Sequence, residues 1–510
     1  MRSLIVAMAL LGVPCLAAAE VKTTQFNPPG PHVVGLKVIE QYDYARSYRG
    51  ATDPLTGKPL TGETARPMQT VIWYPAVKPA KPAVTVADYV RIGAVDDDFT
   101  LPPAERAARQ ARAVAKAPNG PSPEQMKAEI DAVMLAHRDA SPEPGKFPVV
   151  IYAPSFSASA IENADLCEYL ASHGYVVIAS PDIGHDTRAM TPDLEGTETQ
   201  SADIAFLIGY AHSLPQADTS HIAVVGYSWG GLSNSLAAAK DSRIKALVAL
   251  DGSVRYWPQL TKQAAYLTPL RMTAPLLFIA ARQEDYELLP NTPNRDTSPL
   301  NQMKYADLYF VKMAPMDHGS FGTLFSQRLN GWYGDYGKAE VTTATDWMET
   351  YVLRFLDAYL KDDAKSRDFL DLPAAKTGAP AHLFTTRVTH AQGPAPTRTA
   401  FAAELDQQGF DKASTVYQAF KARNPDFALS EIELRTWGLS LLESGDLDRA
   451  MPLLKLDTEL HPESSGAVTA LGQAYERHGD TALAIAAYRR ALVLLPQNDD
   501  AKWRLEALGG

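Results

Sequence analysis

From Val33 to about Phe384, short apolar runs alternate with longer amphipathic stretches. The apolar runs are VIWY at 71–74, VVIY at 149–152, YVVIAS at 175–180, HIAVV at 221–225, IKALVAL at 244–250, LLFIA at 276–280 and LYFVK at 308–312. Each has the length and β-branched or aromatic content of a buried strand. Between them, helical spacing predicts helices over 161–173, 201–213, 231–239 and 345–361. In the first of these, Leu166, Tyr169 and Leu170 share one side and Cys167 lies at its flank, the place of a small buried hydrophobe. Continuous apolar strands separated by helices predict an α/β fold, a mostly parallel sheet with helices on both faces. The stretch 85–145, rich in Ala, Pro and charge, interrupts this rhythm. It reads as an insertion with helices near 103–117 and 122–137, placed to form one wall of a site.

Beyond AQGPAPTRT at 391–399, a linker by composition, the pattern repeats itself. Gly438 and Gly472, Gly445 and Gly479, Ala450 and Ala484, and Pro462 and Pro496 each stand 34 residues apart. That is the tetratricopeptide period, and Leu471, Gly472, Tyr475, Ala484, Tyr488, Ala491 and Pro496 resemble the motif position by position. The first copy is weaker, with Trp437, Leu441 and Asp457 at motif positions. A degenerate helical pair over 401–425 is expected ahead of it. The prediction for 396–510 is an all-α array offering a surface to a protein partner, most directly through residues 400–510.

Residues 1–19 have the form of a secretory signal. Arg2 is followed by an apolar stretch, then by Ala17, Ala18 and Ala19 before Glu20. Pro14 before Cys15 opposes a lipoprotein signal. The expectation is an exported protein, periplasmic or secreted, with no later run long enough for a transmembrane segment. Cleavage would leave Cys167 as the mature chain's cysteine, so no intrachain disulfide is expected. A net charge of −11, and 17 acidic against 11 basic residues over 401–510, argue against a nucleic-acid partner.

The chemistry-bearing motif is Gly226-Tyr227-Ser228-Trp229-Gly230, between a predicted strand and a predicted helix. This is the G-x-S-x-G elbow in the context it requires. The turn is too sharp for side chains at the glycines, and it holds the Ser228 hydroxyl beside a helix N-terminus. Ser228 is the candidate nucleophile. A serine hydroxyl needs a base, and His318, directly after the strand at 308–312, is the candidate. His382 and His390 lie beyond the last long helix, and His185, after the third strand, suits an ordinary loop better than a pocket lining. The acid is open on the residues alone. Asp251 follows the strand at 244–250, whereas Glu284 and Asp285 follow the strand at 276–280, and both loops end at one sheet edge. The oxyanion donors are expected to be the amides of Trp229 and Phe156. No phosphate-binding, dinucleotide or metal motif occurs, so no cofactor is implied.

Residues from about 68 to 363 resemble the α/β-hydrolase superfamily, and most of all its dienelactone hydrolase and platelet-activating-factor acetylhydrolase-like branch. The resembling pieces are TVIWYPA, FPVVIYAPSFSAS, LASHGYVVIASPD, VVGYSWGG, ALVALDGS, PLLFIAA and DHGSF, in that order. The resemblance implies that the acid follows the strand after the elbow helix, which is Asp251 here. Relatives often carry a His-Gly pair in the loop before Phe156, where this chain has Pro154-Ser155. It further implies an α/β-hydrolase domain over 20–395 and hydrolysis of a small-molecule acyl ester through Ser228, His318 and Asp251. Peptide or amide cleavage by the same residues is the enzymatic alternative. An inactive hydrolase fold that recruits a partner through its repeats is the non-enzymatic one.

Overall fold

The computed structural model describes residues 27–509 except 49, 51, 53–56, 60–61, 78–80, 118–121, 284–297 and 426. The expected signal at 1–19 and the alternative acids Glu284 and Asp285 lie outside the described residues. The chain divides into two compact units, Met1–Ala391 and Gln392–Gly510.

The first unit is built on one sheet of ten strands. In chain order these are β1 (Val33–Ser47), β2 (Ala65–Ala76), β3 (Ala136–Arg138), β4 (Phe147–Ala153), β5 (Val176–Ala179), β6 (Ala217–Tyr227), β7 (Ile244–Leu250), β8 (Leu276–Ala280), β9 (Leu308–Met313) and β10 (Phe384–Thr389). Across the sheet the order is β10-β9-β8-β7-β6-β4-β5-β2-β1-β3. The run from β5 to β9 is parallel, and β2 and β10 pair antiparallel at its two sides. Strand alternation sorts the core. Val150, Tyr152, Ala223, Val225 and Val248 face one hydrophobic layer. Val149, Ile151, Ile222, Val224 and Leu247 face the other. Because both faces are covered, these strands carry no polar alternation, which is why they read as continuous apolar runs. Each fully buried Val, Ile or Leu contributes about 1.5–3 kcal/mol.

The helices around this sheet include α1 (Val86–Gly93), α2 (Pro103–Lys116), α3 (Pro123–Ile130), α4 (Ala164–Ser172), α5 (Leu194–Ala211), α6 (Gly230–Lys240) and α7 (Pro258–Gln263). Helix α5 starts seven residues before the predicted 201, because the Asp193 side chain accepts from the Gly196 N–H and caps it there. The long helix Lys338–Leu360 likewise starts before 345, where the Glu340 carboxylate accepts from the Gly337 N–H. Cys167 is buried on α4, as its place on the helix face implied.

The insertion differs from expectation in two respects. The second predicted helix, 122–137, is cut short at Ile130, and β3 takes its end. Ala136 pairs in parallel with Val34, and the buried Glu168 carboxylate accepts from the Leu135 and Ala136 N–H groups, so the backbone there bonds outward instead of along a helix. Nor does 85–145 form a wall of the Ser228 cleft; α1 packs on the sheet through Tyr89, whose hydroxyl joins Trp73 to Glu168.

The second unit is helical among its described residues. Arg398–Gln408 and Ala413–Arg423 lead, followed by Glu431–Glu443, Leu447–Leu460, Ser465–His478, Thr481–Leu494 and Asp499–Ala507. Helix starts at 431, 465 and 499, and at 447 and 481, keep the 34-residue spacing. The glycines of the repeat explain themselves sterically. A Cβ at Gly438 would lie 2.5 Å from the Leu454 side chain, and one at Gly472 would lie 2.6 Å from Tyr488. Each pair of helices therefore crosses at its glycine.

Candidate active site

The site lies where the strand order reverses. From β4 the chain moves outward to β5 on one side and to β6 on the other, leaving a crevice at the carboxyl ends of β4 and β6. The loop after β4 carries Phe156, and the turn after β6 carries Ser228.

Ser228 adopts φ +53°, the left-handed region that costs a non-glycine residue about 1–2 kcal/mol. Close backbone approach dictates its neighbours. A Cβ on Gly226 would sit 2.2 Å from the Gly230 carbonyl oxygen, and one on Gly230 would sit 2.1 Å from the Ala153 carbonyl oxygen. Only glycine lets the elbow fold against the end of β4. Helix α6 begins immediately after, with its positive end at the serine.

His318 opens a short 3-10 turn after β9, capped by the Asp317 side chain. Ser228 Oγ lies 2.8 Å from His318 Nε2, and His318 Nδ1 lies 2.6 Å from Asp251 Oδ2. The Tyr227 hydroxyl donates to the His318 carbonyl and fixes that turn. Asp251 is fully buried, at φ +43°, at the end of β7. Its Oδ1 accepts from the Ala281 N–H at 2.9 Å, and Tyr256 donates to the same carboxylate at 3.0 Å. Burial first, and the Asp251 charge second, raise the Tyr256 hydroxyl above its ordinary pKa, so it remains a donor. The structure thus brings Ser228, His318 and Asp251 into one hydrogen-bonded line.

Above the serine is a cleft of about 520 Å³. Phe156, Pro192, Trp229 and Trp257 supply its apolar walls, and Ser253, Tyr256, Gln283 and His318 its polar points. The Phe156 and Trp229 rings meet edge to face, with centroids 5.3 Å apart, so both expected oxyanion residues border the same space. On either side of the Phe156 amide the loop is tied down. The Ser155 N–H donates to the buried Glu162 carboxylate and the Ser157 N–H to the buried Asp182 carboxylate, each at 2.9 Å. Among the described residues, neither the Phe156 nor the Trp229 amide donates to a protein group.

His185 lies elsewhere, half-exposed beside Asp186, and lines a different cleft. His390 pairs with Asp307. Sequence reasoning missed Tyr256, Trp257 and Gln283 as lining residues; Tyr256 and Trp257 follow Asp251 closely, but no pattern of spacing marks them. Among the described residues no group of His, Cys, Asp and Glu is placed to hold a metal ion.

Residues 133–292 match the model of the dienelactone hydrolase family. Over this stretch the chain is similar to the dienelactone hydrolase family, a branch of the α/β-hydrolases. Within the dienelactone hydrolase stretch fall Phe156, Ser228, Trp229 and Asp251, while His318 lies past its end. A Methylorubrum extorquens protein named for carboxymethylenebutenolidase activity is 27% identical over 137 residues, covering 24% of this chain and 46% of that protein. The cellulose synthase operon protein C of Escherichia coli strain K12 is 40% identical over 70 residues, 14% of this chain and 6% of its own length. The chain therefore spans less than half the length of either relative. Among solved structures, a ferulic acid esterase from Streptomyces cinnamoneus aligns at 19% identity with a TM-score of 0.46, covering 71% of this chain and 98% of that one.

Proposed function

We propose that the first unit hydrolyses a carboxylic ester through an acyl-enzyme on Ser228. The observation that carries the reading is the line from Ser228 Oγ to His318 to the buried Asp251, at 2.8 and 2.6 Å, at the floor of a largely apolar cleft. Neutral His318 donates its Nδ1–H to Asp251, which leaves Nε2 to accept the Ser228 proton. As Ser228 Oγ attacks the acyl carbonyl, negative charge develops on the carbonyl oxygen. The Trp229 and Phe156 amides and the N-terminus of α6 offer it donors and a positive dipole end. Protonated His318 then gives its proton to the leaving alkoxide, and the alcohol departs. Water enters, loses a proton to His318, and attacks the acyl-Ser228 carbonyl, releasing the acid and restoring the serine.

The cleft volume and its aromatic walls support a small or medium acyl group. The repeats supply no group to this line, and their proposed role is to recruit a protein partner. Residues 1–19 enter the proposal as an export signal, checked by sequencing the N-terminus of the mature protein.

A serine-directed fluorophosphonate probe and a series of p-nitrophenyl esters of graded chain length test the reading. Wild-type protein is expected to be labelled and to turn over the shorter esters, and Ser228→Ala to do neither. Ester turnover that survives Ser228→Ala overturns it.

A further inference from the structure

The loop that presents the Phe156 amide is braced from outside the cleft by a guanidinium. Ser157, the residue after Phe156, stands at φ +56°, a conformation it does not hold by preference. Each polar group of Ser157 is engaged by one neighbouring segment. Its N–H donates to Asp182 Oδ2 at 2.9 Å, its carbonyl accepts from Arg188 Nη1 at 3.1 Å, and its Oγ accepts from the Met190 N–H at 2.8 Å. Arg188 Nη1 also donates to the Asp182 carbonyl at 3.0 Å, so one guanidinium nitrogen joins the loop to the segment that grips it.

Arg188 is itself aimed from the inserted segment. Its Nε and Nη2 meet the two oxygens of Asp96 at 3.1 Å each, the planar two-point pairing that fixes a guanidinium's orientation. The Asp96 side chain is 2% exposed and Arg188 is 31% exposed, so the pair is screened from water on the acid's side. Neither residue lines the cleft.

We propose that Asp96 and Arg188 are positioning residues that hold the Phe156 amide at the oxyanion position. The inference rests on the reading of Ser228 as nucleophile and Phe156 as donor, and through it the insertion braces the loop from behind. An oxyanion donor must sit about 2.7–3.1 Å from the oxygen that forms during attack, and losing one such donor costs about 10²–10³ in kcat. A donor that is displaced but not deleted is expected to cost less, about 10–100-fold.

Arg188→Gln and Asp96→Asn are compared with wild type for kcat and KM on p-nitrophenyl butyrate, with active sites counted by fluorophosphonate labelling. A second measurement is Ki for phenylboronic acid, which forms a tetrahedral adduct on an active serine. The expected result is kcat per labelled site lowered about 10–100-fold, with KM within about threefold. The phenylboronic acid Ki should rise in parallel with the loss in kcat/KM, and the double variant should lose little more than Arg188→Gln alone, since both act through one brace. A role in stability alone would lower the number of labelled sites and leave kcat and Ki per site unchanged, and that outcome overturns the proposal. If Arg188→Gln does not fold, the near-isosteric Asp96→Asn decides between the same two outcomes. Absence of Ser228-dependent turnover in wild type refutes the underlying reading and this inference with it. Wild-type turnover matched per site by both variants refutes the brace alone.

Discussion

Asp251→Asn isolates the carboxylate at nearly constant shape. Asp251 Oδ2 accepts from His318 Nδ1 at 2.6 Å, and Oδ1 accepts from the Ala281 N–H at 2.9 Å. An asparagine has one acceptor oxygen for these two donors. With its oxygen toward His318, its NH₂ confronts the Ala281 N–H, and a buried donor is lost there. With its oxygen toward Ala281, its NH₂ faces His318 and drives the proton onto Nε2, which can then no longer accept from Ser228. The second arrangement is favoured because the Ala281 amide is fixed in the backbone, whereas the imidazole can change tautomer. A wrong tautomer costs about 10⁴ in kcat, or about 5 kcal/mol at 1.36 kcal/mol per tenfold. The assay is p-nitrophenyl ester turnover per folded molecule, with a melt to show that the fold persists. Glu284→Gln and Asp285→Asn are run beside it and should change kcat by less than about tenfold. The reasoning is refuted if Asp251→Asn keeps more than about a tenth of wild-type kcat, or if one of the other two substitutions is the crippling one.

Ser228→Gly should be more stable than Ser228→Ala by about 1 kcal/mol in denaturant melts, because only glycine accepts φ +53° without strain; the reverse order would place no strain at the elbow. Burial holds the Glu349 carboxyl up to about 8, above its unfolded value of about 4.3, so the folded state keeps a proton that the unfolded state has released. This group's contribution is therefore greatest at low pH and is lost as pH rises toward 8, at up to about 1.4 kcal/mol per pH unit; Glu349→Gln should remove its share of that slope in melts between about pH 5 and pH 8. A chain shortened to end at Ala391 should keep ester turnover within a few-fold, since each unit has its own hydrophobic cores, and total loss of activity with a cooperative melt would refute the independence of the chemistry from the repeats.

Legibility from sequence followed burial on both faces. The runs at 244–250 and 276–280 are β7 and β8 residue for residue, because strands covered on both faces are apolar almost throughout; Lys245, near the start of β7, is exposed. Strand β1 was harder to see. Its fifteen residues mix buried Leu36 with exposed Lys37 and Glu40, as a strand near the sheet margin does. The short β3 looked helical because its partner, Val34, is about a hundred residues away. The elbow was legible because its chemistry is local: strand, two glycines and helix are contiguous. The acid was open on the residues alone, since the loops after β7 and β8 reach the same edge; the resemblance pointed to Asp251, whose Oδ2 the structure places 2.6 Å from His318 Nδ1. Asp96 and Arg188, 92 residues apart, leave no local trace.

The site's order is a property of the sheet. Ser228, Asp251 and His318 stand at the ends of three strands, β6, β7 and β9, and Phe156 follows a fourth, β4. Ser228, Asp251 and Ser157 all occupy left-handed conformations. Three such residues together cost about 3–6 kcal/mol, a substantial part of the roughly 5–15 kcal/mol net stability of an ordinary domain. Local preference opposes each of them, so the conformations persist only while the surrounding contacts over-determine them. For Ser228 the contacts are the glycine approaches to Ala153 and Gly230; for Asp251, the Ile279 carbonyl that accepts its N–H and the Ala281 amide; for Ser157, the Arg188 brace. The first two sets lie in or directly beside the ends of β4, β6 and β8. The third reaches the loop after β4 through Asp96 in the insertion, so the proposed placing of the Phe156 amide depends on chain outside the sheet.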